Sequence, residues 1–149
     1  MKAELKDLFK EAERYGEKLR TEEKQAEGRV PEDQAVDPEP PEAQETGDIG
    51  QSPAQKAELQ KDIQEAKALG ARDIRVNQQQ VNAQLERVGI NRPDLQYTLP
   101  DGTRVYIEYD SPTSGRGPGH KSRILANDPG ARVILKEVTD QTGAVRIVN

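Results

Sequence analysis

Residues 92–110 read RPDLQYTLPDGTRVYIEYD, with three carboxylates, Asp94, Glu108 and Asp110, at the outer ends of what reads as a hairpin. Carboxylates are poor strand formers, so their placement asks for a reason. Side chains alternate along a strand. Glu108 and Asp110 therefore share a face with Arg104 and Tyr106, while Val105, Ile107 and Tyr109 take the other. On the preceding strand Asp94, Gln96 and Thr98 lie opposite Leu95, Tyr97 and Leu99. Pro100-Asp101-Gly102 is a turn signal, and an antiparallel hairpin about it brings Asp94 toward Glu108 and Asp110. Three adjacent carboxylates repel one another unless something neutralises them. Magnesium, or manganese in its place, does so with one or two carboxylates, waters and a phosphate oxygen, and such a site supports phosphodiester hydrolysis. The same residues also suit an ordinary charged hairpin face, with Arg92 and Arg104 as surface ion-pair partners.

A second chemical stretch follows, SPTSGRGPGHKSR. Gly115, Gly117 and Gly119 leave backbone N–H groups accessible, Arg116 adds charge, and Pro118 suits a first helical turn. A helix start attracts phosphate. His120 and Arg123 lie three apart on one helix face; Lys121 points elsewhere, still near the helix start. The alternative is a flexible connection carrying an exposed histidine. Earlier in the chain, Gln78 and Gln80 share a face of the first strand, with Gln79 on the other. They read as contacts to bases or as an edge facing solvent.

Composition narrows the classes. Of 149 residues 32% are hydrophobic and 33% charged, and the mean hydropathy is −0.95, so a core spread over the whole length would be thin. There are no cysteines and one histidine, which excludes disulfides, thiolate metal sites and multi-histidine zinc. No apolar run approaches the roughly 20 residues of a membrane span, and the N-terminus lacks a signal-peptide apolar region. The expectation is a protein with no membrane partner. It would be cytoplasmic in the cell that makes it, or injected into a target cell without a cleaved signal. The net charge of −5 is segregated: residues 1–50 hold 8 bases and 15 acids, residues 51–149 hold 14 and 12. The second part is thus mildly basic and permits a nucleic-acid partner.

The elements that position these residues divide the chain in three. Residues 1–27 place Leu5, Leu8, Phe9, Ala12, Tyr15 and Leu19 on one stripe of an amphipathic helix, which either packs on the main domain or docks a carrier or chaperone. Residues 28–54 carry Pro31, Pro38, Pro40, Pro41 and Pro53, with seven acids and no base from Pro31 to Gly50, and read as an extended, solvated tether. Residues 55–149 read as the folded domain. A helix with Leu59, Ile63, Ala66 and Leu69 on one face stops at Gly70. A strand over DIRVNQQQV continues less cleanly to Val81. Then come the hairpin, a short helix over GHKSRILAND, a central apolar strand ARVILKEV, and a last short strand.

This order, with Pro93-Asp94 on the second strand and Glu108-Tyr109-Asp110 on the third, resembles the PD-(D/E)xK nuclease superfamily. One residue departs: Asp110 stands where the family usually has Lys. The resemblance covers roughly residues 56–138. More narrowly, RVNQQQVN, GINRPDLQYTLPDGTRVYIEYD, RGPGHKSRILANDP and ARVILK look like the C-terminal toxin modules of bacterial polymorphic toxins and secretion-system effectors. The resemblance implies a restriction-endonuclease-like αβββαβ core in the α/β (α+β) class, with a mixed sheet flanked by helices. It implies a metal-dependent endonuclease, acting on DNA rather than RNA, that serves as an antibacterial effector. Asp94 and Glu108 would ligate Mg2+ or Mn2+, and Asp110 would be a further ligand or take the Lys position. His120 or Arg123 would supply the positive charge Asp110 lacks. Nucleic acid would meet Arg92, Arg104, Arg116, Lys121, Arg123, Gln78 and Gln80. A cognate immunity protein is the expected neutralising partner. The Asp110 departure keeps open a non-catalytic nucleic-acid-binding module of the same fold. The first 50 residues keep open a partner-docking protein.

Overall fold

The computed structural model describes residues 39–149. The expected helix over 1–27 and the tether over 28–38 lie outside the described residues. Helix α1 runs Pro53–Ala68 and helix α2 Gly117–Asn127. The strands are β1 Arg72–Val76, β2 Leu95–Thr98, β3 Arg104–Asp110, β4 Arg132–Val138 and β5 Val145–Val148. They form one mixed sheet ordered β1-β2-β3-β4-β5, an α+β architecture. Neighbours are antiparallel except β3 and β4, which run parallel with Glu108 level with Leu135 and Asp110 with Glu137. β3, not the expected β4, is the middle strand. β4 buries only Leu135 and Val138, whereas β3 buries all of its residues but the last. Among the described residues no helix is long and apolar enough to cross a membrane.

Local chemistry explains the boundaries. Ser52 caps α1 by accepting the Gln55 N–H at 3.1 Å, and Pro53 occupies the first turn, where its missing donor costs nothing. The helix ends as expected at Gly70 (φ +83°). The Ala71 N–H donates to Ala66 O at 2.9 Å and the Gly70 N–H to Lys67 O at 3.0 Å, the paired closure that a left-handed glycine permits. Leu59, Ile63 and Ala66 share one core with Ile74, Leu95, Val105, Ile107 and Tyr109. The hairpin turns at Pro100-Asp101-Gly102, where Gly102 has φ +92° and the Leu99 N–H donates to Thr103 O at 2.9 Å.

The other sheet face is covered too, so the hairpin is not half-exposed. β1 stops at Val76 rather than running to Val81, because Asn77 turns left-handed (φ +50°). The segment behind it is held by side-chain amides instead of a ladder. Gln96 donates to Gln78 O and Gln79 O at 3.0 Å and accepts the Val81 N–H at 2.9 Å; Gln80 donates to Ile124 O at 3.0 Å and accepts from Asn127. These bonds let the Gln80 and Gln96 amides sit paired in a closed layer.

Residues 39–52, within the expected tether, lie along the free edge of β1. The Val76 N–H donates to Gln44 O at 2.8 Å, Arg75 Nη1 to Pro41 O at 2.8 Å, and Asn77 Nδ2 to Asp48 O at 2.8 Å. An edge strand presents unpaired backbone groups, and this strap pairs the Val76 N–H among them. Its acids turn outward, Glu45 to Lys67 at 2.7 Å. Gly47 is where the strap comes closest: a Cβ there would stand 2.9 Å from Val76 O and 3.2 Å from Val76 Cγ1. Gly47→Ala is expected to lift the strap at a cost of about 1–2 kcal/mol. Urea unfolding of the full chain measures it; an unchanged midpoint would contradict the packing described.

Candidate active site

The β2–β3 ladder runs from Thr98 opposite Arg104 to Leu95 opposite Ile107. One step beyond it, side chains replace backbone partners. The Asp94 N–H donates to Glu108 Oε2 at 2.9 Å, and the Tyr109 N–H donates to Asp94 Oδ2 at 2.8 Å. Each carboxylate is therefore fixed by a backbone amide of the opposite strand, and the hairpin register places them together. Burial, then the charge of Glu108, pushes Asp94 up to about 7; burial likewise pushes Glu108 up to about 7, with Asp110 adding to it.

His120, in the first turn of α2, brings Nδ1 to 3.4 Å from Glu108 Oε1. Asp110 has a different task. It accepts the Ser111 N–H at 2.9 Å and the Gly117 N–H at 2.9 Å, and the Ser114 hydroxyl hydrogen-bonds to it as well. It thus closes the loop between β3 and α2 on itself and holds the start of the helix that carries His120. Gly117 permits this approach, since a Cβ there would stand 2.6 Å from Asp110 Oδ2 and 2.8 Å from a Leu135 methyl.

The carboxylates open into a cleft of about 260 Å³ that Arg116 and His120 rim. A smaller recess, about 90 Å³, continues from Glu108 and His120 to Arg92 and Arg123. Among the described residues, no three histidine, aspartate or glutamate side chains converge as a metal-holding group. The two carboxylates that do come together fit magnesium, which takes one or two from a protein. Their raised proton affinity is what a cation would relieve.

The remaining expected residues divide. Arg92, Arg116 and Arg123 are exposed around the cleft and recess. Arg104, expected to contact nucleic acid, is instead only 2% exposed, bonded to Val81 O at 2.7 Å, Gln96 Oε1 at 2.8 Å and the Asp73 carboxylate at 3.0 Å. Gln80 is likewise buried, and its amide is used within the fold. Gln78 is taken by the strap, accepting the Gln44 N–H at 2.9 Å and donating to Glu42 O. Lys121 Nζ points to Val148 O at 3.4 Å, toward the end of β5. Polar residues on a strand face read as solvent contacts only while that face is open; here the 77–91 segment and α2 close it.

Two residues absent from the sequence reading also line the cleft, Gln55 from the first turn of α1 and Ile49 from the strap. Ile49 had a signal, a single apolar residue in GDIGQ within a polar stretch. Gln55 had none. No family model, no curated protein and no solved structure matches the chain.

Proposed function

We propose that the protein is a metal-dependent nuclease that hydrolyses phosphodiesters, with DNA as its substrate. The observation that carries this reading is the pair of half-buried Asp94 and buried Glu108, clasped side by side at an open cleft whose rim is basic. The order helix, three strands, helix, strand supports a restriction-endonuclease-like core. Asp94 and Glu108 would hold Mg2+ or Mn2+, which when bound neutralises the pair, polarises the phosphate and lowers the pKa of water. Arg116 and Arg123 bind the phosphate and orient it toward the carboxylates. His120 moves a proton at Nε2, with Nδ1 held toward Glu108 Oε1. Asp110 is a positioning residue that holds the α2 start rather than a third ligand.

The resemblance to bacterial effector modules extends the proposal to an antibacterial toxin with a neutralising immunity partner. The test is incubation of the full chain with supercoiled plasmid, linear duplex and a structured RNA, in magnesium or manganese and in EDTA. Glu108→Ala runs beside it to expose contaminating nuclease. Cutting that needs metal and disappears in the variant is expected; cutting retained by Glu108→Ala would overturn the reading. A second reading, nucleic-acid binding without hydrolysis, is favoured by Asp110 standing engaged where a catalytic lysine is usual. It predicts intact substrates and binding indifferent to EDTA.

A further inference from the structure

We infer that the groove running from the carboxylates past His120 continues beyond Arg92 into a second anion pocket, which takes a backbone phosphate of the same nucleic-acid strand. This rests on the reading of the cleft as a nuclease site. The pocket, about 410 Å³, lies between the strap and residues 75–79. Arg75, Arg87 and Arg92 line it and no carboxylate does. A pocket lined by positive charge alone suits a polyanion.

The three arginines differ in what they have left to offer. Arg75 is neutralised by Asp73, at 2.8 Å and 3.0 Å, and forms a silent wall. Arg92 hydrogen-bonds to Asn77 O and Oδ1, yet it lines both the recess with Glu108 and His120 and this pocket, so one strand lying along the groove meets its charge at both. Arg87 donates Nη2 to Glu39 O at 3.2 Å, while its Nε is enclosed without a hydrogen-bond partner. Arg87 nevertheless lines the pocket, and there its charge and its remaining Nη hydrogens are what a phosphate oxygen would meet. Gln44 adds a neutral amide to the lining. The strap thereby gains a function beyond covering β1, since without it the pocket loses one wall.

The test uses the full chain in EDTA, so that no turnover occurs, with a fluorescent single-stranded DNA of about 12 nucleotides. Arg87→Gln is expected to weaken binding about tenfold and to lower the slope of log affinity against log salt by about 0.7, one phosphate contact on a single strand. Arg87→Lys, which keeps charge but not the fork, is expected to recover the slope. Should Arg87→Gln fail to fold, Arg92→Gln at its exposed position must lower the slope in the same way. An unchanged slope in the variant that folds overturns the pocket. Thermal stabilisation by inorganic phosphate that depends on Arg87, without any effect on the oligonucleotide, also overturns it, as a small-anion site only. Absence of cleavage by the wild type, with a slope that still depends on Arg87, removes the nuclease reading and keeps the pocket.

Discussion

Asp94→Asn is expected to abolish cleavage and at the same time make the protein harder to unfold at neutral pH. Asparagine keeps an oxygen to accept the Tyr109 N–H that now bonds Asp94 Oδ2 at 2.8 Å, so the local backbone is retained. What it removes is a carboxylate whose folded form is pushed up to about 7 from an ordinary value of 3.8, by burial and by Glu108. Below about pH 4 the group is protonated folded or unfolded, and the substitution changes little. Between about 4 and 7 the unfolded chain releases the proton and the folded chain holds it, so wild-type stability falls as pH rises. Above about 7 the penalty is complete and constant. The unfolding free energies of the two proteins should therefore separate across that window, with Asp94→Asn the more stable by about 1–3 kcal/mol at pH 8. Magnesium should stabilise the wild type above pH 7 by neutralising the pair, and leave the variant unmoved. Cleavage should drop by more than about 100-fold, the upper end of what losing even an outer partner of a metal site costs. Thermal unfolding from pH 4 to 8, with EDTA and with magnesium, measures the first effect, and plasmid cleavage the second. A variant that cuts like the wild type would end the nuclease reading; curves that stay parallel across pH would mean the pair is not a strained acid couple.

Arg104→Met should be the most damaging single change to the fold. Arg104 sits in the polar layer with its guanidinium shared among Val81 O, Thr98 Oγ1 at 2.9 Å, Gln96 Oε1 and the Asp73 carboxylate. Asp73 reaches it from a left-handed backbone (φ +55°) at the irregularity between Arg72 and Arg75, and binds Arg75 as well. Burial lowers the Arg104 pKa while Asp73 opposes that, the signature of a charge kept ionised by its partner. Arg75 still compensates Asp73 after the change, but Val81 O, Thr98 Oγ1 and Gln96 Oε1 lose a buried charged donor, which together costs about 3–5 kcal/mol. Against a typical domain stability of about 5–15 kcal/mol, that is a large share. The urea midpoint should fall with little change in slope. A loss below about 1 kcal/mol would return Arg104 to the surface role its sequence position suggested.

The two predictions mark how far the sequence reached. Glu108 and Asp94 could be paired from the sequence alone, because strand alternation and a Pro-Asp-Gly turn are local rules and together set the hairpin register. The stop of α1 at Gly70 and the order of the elements followed from the same short-range signals. Whether a polar strand residue meets water or protein is not local. Arg104, Gln80 and Gln96 have the alternation expected of an open face, and it took residues 77–91 and α2, distant in sequence, to close it. Asp110 shows the same limit at finer scale: its place on the acidic face was legible, but its engagement by Ser111, Ser114 and Gly117 depends on how the loop folds back. The strap was hidden for a related reason. An acidic, proline-rich stretch reads as a solvated tether because composition reports what side chains prefer, whereas residues 39–52 are held mainly through their carbonyls by the exposed edge of β1. The sequence by itself thus determined the hairpin, the helix limits and the meeting of two acids. Tertiary structure decided which charges are buried, which acid holds a loop and which arginines stay exposed beside the cleft. Those outcomes depend on desolvation and on backbone partners that only the assembled sheet supplies.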